Sequence, residues 1–294
     1  MDIRIGHVGL RVTDLEGSVR FAETIMGLHE VERDGRTSYL SCNERHHELM
    51  LIEAESPGCD HLAFEVFGDR DLDVLGERLD ARGVRTLEEP TERGVAEAVR
   101  FVAPGGFVLE VFHGMESSDP PRSASGVRPR KFEHITVKSS EKDALEDVLQ
   151  EVLGLRVSDR AEEGASWLRA GAEHHGFSVI RAEENLLHHY AWQTDGWDAI
   201  RRIGDHLLAN EMGFLWGPGH HGIGDNYFCY FLDPEGAIVE YSACIALIED
   251  EANHKPGMWV DEPLSVNRWG NPPPPPEFLA GGVPLVHPFT ANPA

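Results

Sequence analysis

Sixteen histidines are spread along this chain, and His134, His189 and Glu240 fall where two imidazoles and a carboxylate can meet. Each sits within a strand candidate among alternating apolar neighbours. Glu240 shares its face with Ile238 and is expected to point inward. A buried carboxylate without a partner is costly, and a metal ion is one good partner. Two imidazoles and one carboxylate on one face of a divalent ion leave up to three positions open, as non-haem Fe(II) oxygenases need in order to hold substrate and O₂ together. The same donors also suit Mn, Co, Ni or Zn. A lone histidine in a strand is ordinarily a core residue, so the weight rests on the frame that carries all three.

That frame is an internal repeat. His7 lies in Ile5-Gly6-His7-Val8-Gly9-Leu10 and His134 in Phe132-Glu133-His134-Ile135-Thr136-Val137, two short strands that each lead into a helix. The first helix takes Asp14 as N-cap, with Leu15, Val19, Ala22 and Ile25 at helical spacing. The second takes Ser140 as cap, followed by Leu145, Val148, Leu149 and Val152. Gly27 and Gly154, each 20 residues after its histidine, suit left-handed C-terminal caps. His61 pairs with His189, helices are expected near 70–83 and 195–209, and Pro-Gly or Pro-Glu-Gly turns then feed strands ending in Glu110 and Glu240. The offsets are 127, 128 and 130 residues. The fold class is therefore α+β, with two tandem domains, each of paired β-α-β-β-β modules.

The domains are read as 1–113 and 131–245, joined by a Ser-, Pro- and Arg-rich linker over 114–130. Residues 246–294 form a tail with Trp259, Trp269 and a proline run from Pro272 to Pro276, expected to be an extended arm packing on the domains or on a neighbouring subunit. The net charge of −25 argues against nucleic acid and anionic lipid as partners. No apolar run is long enough for a membrane span, the first ten residues lack a signal-peptide pattern, and the four cysteines form no C-x-x-C pair; a cytoplasmic protein with reduced thiols is expected.

The paired modules and the three ligand slots resemble the vicinal oxygen chelate superfamily. Within it, Gly219-His220-His221, seven residues, then Cys229-Tyr230-Phe231-Leu232-Asp233-Pro234-Glu235-Gly236-Ala237-Ile238-Val239-Glu240 resembles the type I extradiol dioxygenase signature. Cys229 departs from it, standing where a larger side chain is usual. The resemblance covers about residues 1–245, and Trp269-Gly270-Asn271-Pro272 is similar to the end of the homoprotocatechuate 2,3-dioxygenase branch.

The resemblance implies Fe(II), with Mn(II) as the alternative, held by His134, His189 and Glu240. It also implies three catalytic residues: His175, which interacts with bound oxygen and moves protons, His221 near the substrate hydroxyls, and Tyr230, which hydrogen-bonds the ring-derived intermediate. Groups titrating near neutrality suit a reaction in which a catechol loses protons. The register selects His189 and His175 over His188 and His174, which on a strand would face the other way, and His221 over His220.

The implied reaction is cleavage of a catechol ring by O₂ to a muconic semialdehyde-type product in aromatic hydrocarbon catabolism, by a homo-oligomer. Trp216 stands where carboxylate-binding relatives have an arginine, with Arg268 close in the tail, so a neutral or aromatic catechol stacking on Trp192 or Trp216 is expected. Alternatives are a hydroquinone-cleaving enzyme, or a metal-dependent isomerase or lyase on the same scaffold, whose sites commonly carry two glutamates. In the first half, His7, His61 and Glu110 keep the ligand slots and His47 the slot of His175, but Arg100 replaces Tyr230 and Thr91 replaces His221. Arg100 would oppose a metal ion's charge unless it pairs with a carboxylate such as Glu110; the resemblance implies a structural, non-catalytic copy.

Overall fold

Four copies of one strand–helix–three-strand unit build the protein. The computed structural model describes residues 1–119, 126–162, 164–260, 262–270 and 272–287. Linker residues 120–125, Asn271 and the last seven residues of the tail lie outside these. The first unit runs β1 (Ile3–Val12), α1 (Leu15–Thr24), β2 (His29–Asp34), β3 (Thr37–Ser41) and β4 (Leu49–Glu53). The second runs β5 (Gly58–Val66), α2 (Asp71–Ala81), β6 (Thr86–Leu87), β7 (Val95–Ala103) and β8 (Phe107–Met115). The third comprises β9 (Lys131–Ser139), α3 (Lys142–Glu151), β10 (Arg156–Ala161), β11 (Ala165–Arg169) and β12 (Phe177–Arg181). The fourth comprises β13 (Leu186–Gln193), α4 (Trp197–Ala209), β14 (Trp216–His220), β15 (Tyr227–Leu232) and β16 (Ile238–Ala243).

Units one and two share an 8-stranded sheet in the order β2-β3-β4-β1-β5-β8-β7-β6. Units three and four share a 10-stranded sheet, β14-β15-β16-β13-β9-β12-β11-β10, extended by the tail strands β17 (Gly257–Trp259) on β10 and β18 (Val283–Pro284) on β13. The first strand of each unit is central and buried on both faces, as its near-continuous apolar pattern requires. The helices bury one stripe: Ala199, Ile200, Ile203 and Leu207 in α4, and Leu145, Val148 and Leu149 in α3.

The local signals hold at most ends and fail at one. Asp14 caps α1 by accepting from Gly17 N at 2.9 Å, and Gly27 and Gly154 adopt φ of 72° and 80°. Ser140 is not the cap of α3. The helix starts one residue later with Glu141 at the N-cap position, because Asn185 Oδ1 takes both the backbone N–H and the hydroxyl of Ser140.

The tail packs on its own chain. Beyond β17 and β18 it adds the short helices α5 (Pro263–Val266) and α6 (Pro276–Ala280), and Phe278 is buried between them and the second sheet.

Candidate active site

Three adjacent strands of the second sheet bring His134, His189 and Glu240 together. In the order β16-β13-β9, Glu240 and His134 both lie beside Ala191, and His189 is two residues earlier on the middle strand. The small side chain of Ala191 leaves the space into which the larger ones converge. His134 Nε2 is 3.0 Å and His189 Nε2 3.2 Å from Glu240 Oε2. Donors bound at right angles to one ion at ~2.1 Å lie ~3 Å apart, so this spacing fits a divalent metal.

Proton placement makes the same point. His188 Nε2 donates to the Phe278 carbonyl at 2.9 Å, and its Nδ1 lies 2.7 Å from His189 Nδ1. Burial and the neighbouring His189 push His188 down to about 3, so it is neutral and its Nδ1 must accept. His189 therefore carries its proton on Nδ1 and presents a bare Nε2 to Glu240. His134 Nδ1 donates to Glu133 Oε2 at 3.1 Å, which likewise turns its Nε2 inward. Burial disfavours a proton on His134, yet Glu240 and Glu133 hold it up at about 10. Burial would raise the Glu240 carboxyl, but His134 and His189 outweigh that and hold it well below the carboxylate range. The pull of Glu240 and Glu133 on a His134 proton marks a place that favours positive charge, and a divalent cation is one such charge.

Above this floor is a cavity of about 190 Å³. His175, His221 and Tyr230 line it together with the triad, and its walls include Trp167, Ile180, Trp216, Ile223, Val266 and Phe278. His221 donates from Nδ1 to the Val266 carbonyl at 2.6 Å, and its Nε2 accepts from the Tyr230 hydroxyl at 3.0 Å. Burial lowers His221 to about 4 and raises Tyr230 well above its usual value, so both are neutral. His175 Nδ1 pairs with His174 Nδ1 at 2.9 Å, and His174 Nε2 donates to Asp159 Oδ2 at 3.1 Å. One proton per ring in that relay leaves His175 Nε2 bare toward the cavity.

Sequence reasoning misplaced three features. His188 and His174 do not face away from their neighbours. A register shift at His188 puts both rings on the site side, and His174 lies in a loop rather than a strand. Trp192 does not line the cavity: it is fully buried on the opposite face of β13, edge-on to Phe132 at 5.3 Å. Two-residue alternation from His189 would have placed it there. Trp216 does line the cavity, stacked on Tyr230 at 5.5 Å and 7°. His220 points outward to Asp225 at 3.0 Å.

Sequence reasoning also missed residues. Asn226, the residue just before β15, donates to Glu240 Oε1 at 3.3 Å. Asp159 and the tail carbonyls of Val266, Pro272 and Phe278, which hold His221, Trp216 and His188, carry no local signal.

A profile of the Glyoxalase/Bleomycin resistance protein/Dioxygenase superfamily matches residues 4–111 and 131–241. The chain is 30% identical over 259 residues to a manganese-dependent 2,3-dihydroxybiphenyl 1,2-dioxygenase of Geobacillus genomosp. 3, covering 79% of this chain and 81% of the relative. It is 28% identical over 284 residues to a metapyrocatechase of Pseudomonas sp. (strain CF600), covering 89% and 92%. The fold also matches a substrate complex of homoprotocatechuate 2,3-dioxygenase from Brevibacterium fuscum, with a TM-score of 0.90 at 23% identity over 97% of this chain and 94% of that one.

Proposed function

Because this chain belongs to the glyoxalase/bleomycin resistance protein/dioxygenase superfamily and, within it, to the extradiol ring-cleaving dioxygenases, we propose that it cleaves an uncharged, apolar catechol with Fe(II) held by His134, His189 and Glu240. The observation that carries this reading is the convergence of two imidazole nitrogens and a carboxylate oxygen, 3.0 and 3.2 Å apart, on the floor of a cavity whose walls include Trp216, Ile223 and Phe278. Among its described lining residues there is no lysine or arginine. Arg268 in the tail is 47% exposed and paired with Asp225 at 2.5 Å. A carboxylated catechol would therefore bury an anion without a partner. Trp216 and Phe278 offer flat apolar walls to a ring substituent instead.

When bound, iron supplies Lewis acidity and a route for electrons from the ring to O₂. The side chains handle the protons. His221, neutral with Nε2 as acceptor, takes one catechol proton, relayed through the Tyr230 hydroxyl that it already holds. His175 Nε2 takes and returns a proton on the opposite side of the floor, and the carboxylate of Asp159 stabilises the resulting charge through His174. Tyr230, kept protonated by burial, donates to a ring-derived oxygen. Both oxygen atoms enter the product, a muconic semialdehyde-type acid. Mn(II) suits the same donors, and the manganese-dependent relative favours it as the alternative ion. The reading extends to a homo-oligomer of the cytoplasm: free cysteines fit a reducing compartment, and Met258, Val260, Leu264 and Leu279 on the tail are exposed apolar groups that a second copy would cover.

O₂ uptake by anaerobically loaded Fe(II) and Mn(II) protein tests this against catechols with neutral, apolar and carboxylated substituents. We expect a yellow product from neutral and apolar catechols and at least ~10-fold lower kcat/KM for carboxylated ones, with activity lost in His189→Ala. Equal turnover of the carboxylated series would sink the substrate reading. Uptake that survives His189→Ala would sink the site.

A further inference from the structure

The first half carries a cluster that the proposed reaction does not use. We propose that it is a second, closed divalent-metal site, built from His7, His61, Glu92 and Glu110. Their ligand atoms all lie within 4.8 Å of one another. His7 Nε2 is 3.0 Å from His61 Nε2 and 3.1 Å from Glu92 Oε2, and His61 Nε2 is 3.0 Å from Glu92 Oε1. Glu110 Oε1 lies 3.8 Å from His7 Nε2. The spacing of the first three is again that of neighbouring donors on one ion.

Three of these residues occupy the slots of the second-half triad. His61 is on β5, and Glu110 on β8 lies beside Ala63 as Glu240 lies beside Ala191. Glu92 is particular to this half. It comes from the loop between β6 and β7, one residue past the slot of His221, and puts a carboxylate where the second half leaves room for substrate.

The polar accounting suits a cation among these side chains. Glu92 Oε2 and Glu110 Oε1 are buried without a well-formed hydrogen bond, faced by His7 Nε2 at 3.1 and 3.8 Å, with His47 Nε2 at 3.3 Å from Glu92 Oε2. The side chains of His7, His61 and Glu110 are fully buried, and that of Glu92 is 5% exposed. His61 Nδ1 donates to Asp60 at 2.8 Å, which turns its Nε2 toward Glu92 and His7 as a ligand nitrogen held by an outer carboxylate would be. Lone pairs crowded against carboxylate oxygens repel in a dry pocket unless a positive centre lies among them.

Arg100 does not fill that role. It binds Glu110 Oε2 at 2.6 Å, Glu89 at 2.9 Å and Glu92 Oε1, leaving one oxygen of Glu110 and one of Glu92 turned toward His7. The condition under which its charge is compatible with a metal is thus met. Glu89 is shared with His287 Nε2 at 3.2 Å, and one guanidinium between Glu92 and Glu110 leaves a net negative charge that a divalent ion offsets. Imidazole with carboxylate suits Zn, Mn, Fe, Co or Ni. Four protein ligands close the site against substrate and O₂, and Arg100 pairs with Glu110 across β7 and β8 in the register that Tyr230 keeps with Glu240. This metal is structural.

The test is a count of Mn per chain by elemental analysis, after chelation, reloading with Mn(II) and desalting. We expect about two in the wild type and about one in each of His189→Ala and Glu92→Gln, with catechol turnover retained in Glu92→Gln. A wild type with one Mn that His189→Ala abolishes overturns the proposal. One Mn that survives His189→Ala upholds it and removes the second-half site instead. Should Glu92→Gln not fold, anomalous scattering from Mn-loaded wild-type crystals decides: a peak between His7 and His61 is expected, and its absence overturns the site.

Discussion

At the scale of single residues, the chemistry depends on which nitrogen of each imidazole carries a proton, and neighbours one layer out set that. Asp159 is the clearest case, because it touches no reacting atom. It accepts from His174 Nε2, from Trp259 Nε1 at 2.7 Å and from Gly257 N at 2.7 Å. Burial would raise its carboxyl, and these donors hold it lowered. Burial, with His134 and His174 nearby, holds His175 well below its usual value, so it is a base throughout the neutral range. When His175 gains a proton at Nε2, Asp159 stabilises the new charge through His174. Asp159→Asn keeps an acceptor for His174 but removes the charge, so the pKa of His175 falls further and proton uptake slows. We expect kcat to drop roughly 10–100-fold with KM little changed, and the acid limb of the kcat profile to move to lower pH. An unmoved limb, or a loss confined to KM, would mean that Asp159 serves folding alone. The convergence of His134, His189 and Glu240 was legible in the sequence because a repeat fixes their slots. Asp159 and Asn226 were not, because the first acts through a chain of contacts remote in sequence and the second through a carboxyl oxygen that no spacing reveals.

Elements were legible where a signal is local. The Asp14 cap, the two glycine C-caps and the apolar runs of the central strands all rest on neighbours within a turn or a strand, and the structure keeps them. Ser140 lost its cap role to Asn185, a residue 45 positions away. The turn before β16 adds a group that sequence would rank as an ordinary aspartate. Asp233 Oδ1 accepts from Glu235 N at 3.0 Å and Ala237 N at 2.8 Å, and Tyr190 donates to Oδ2 at 3.3 Å. Burial nevertheless prevails and raises the carboxyl from 3.8 to about 6. The folded state then binds this proton more tightly than the unfolded chain does. Its contribution to stability is full below pH ~4 and is lost as pH rises through about 6. Asp233→Asn keeps an acceptor for the two N–H groups without a charge to bury. We expect apoprotein melts to show a flatter pH dependence between 4 and 7 in the variant, with a gain of about 1 kcal/mol at pH 7. A variant slope equal to that of the wild type would reject this account.

Over the whole molecule, the repeat predicts two similar domains but not how firmly they are joined, because the contacts between them are not periodic. The structure joins them tightly. One continuous apolar core runs from Leu10 and Val19 in the first half to Phe177 and Val239 in the second, and Phe64 stacks on Phe177 at 5.8 Å. Tyr241 donates to the Met26 carbonyl at 2.6 Å across the same boundary. Two glutamates bolt the halves in related positions: Glu235 accepts from Thr13 N at 2.7 Å, and Glu141 accepts from Gly105 N at 2.7 Å. The tail adds a third tie, with Val286 N on the Cys59 carbonyl at 2.9 Å after β18 has paired with β13. A shared core cannot be lost from one half alone without exposing the other, so unfolding should be a single cooperative event. Metal binding at the second-half floor then stabilises the first half as well. With free metal at 100 times its Kd, the gain is about 2.7 kcal/mol for one site. Calorimetry of the metal-loaded protein should give one transition, and chelation should move all of it to lower temperature. Two transitions, of which chelation moves only one, would show that the halves fold independently and that the core between them is a docking surface.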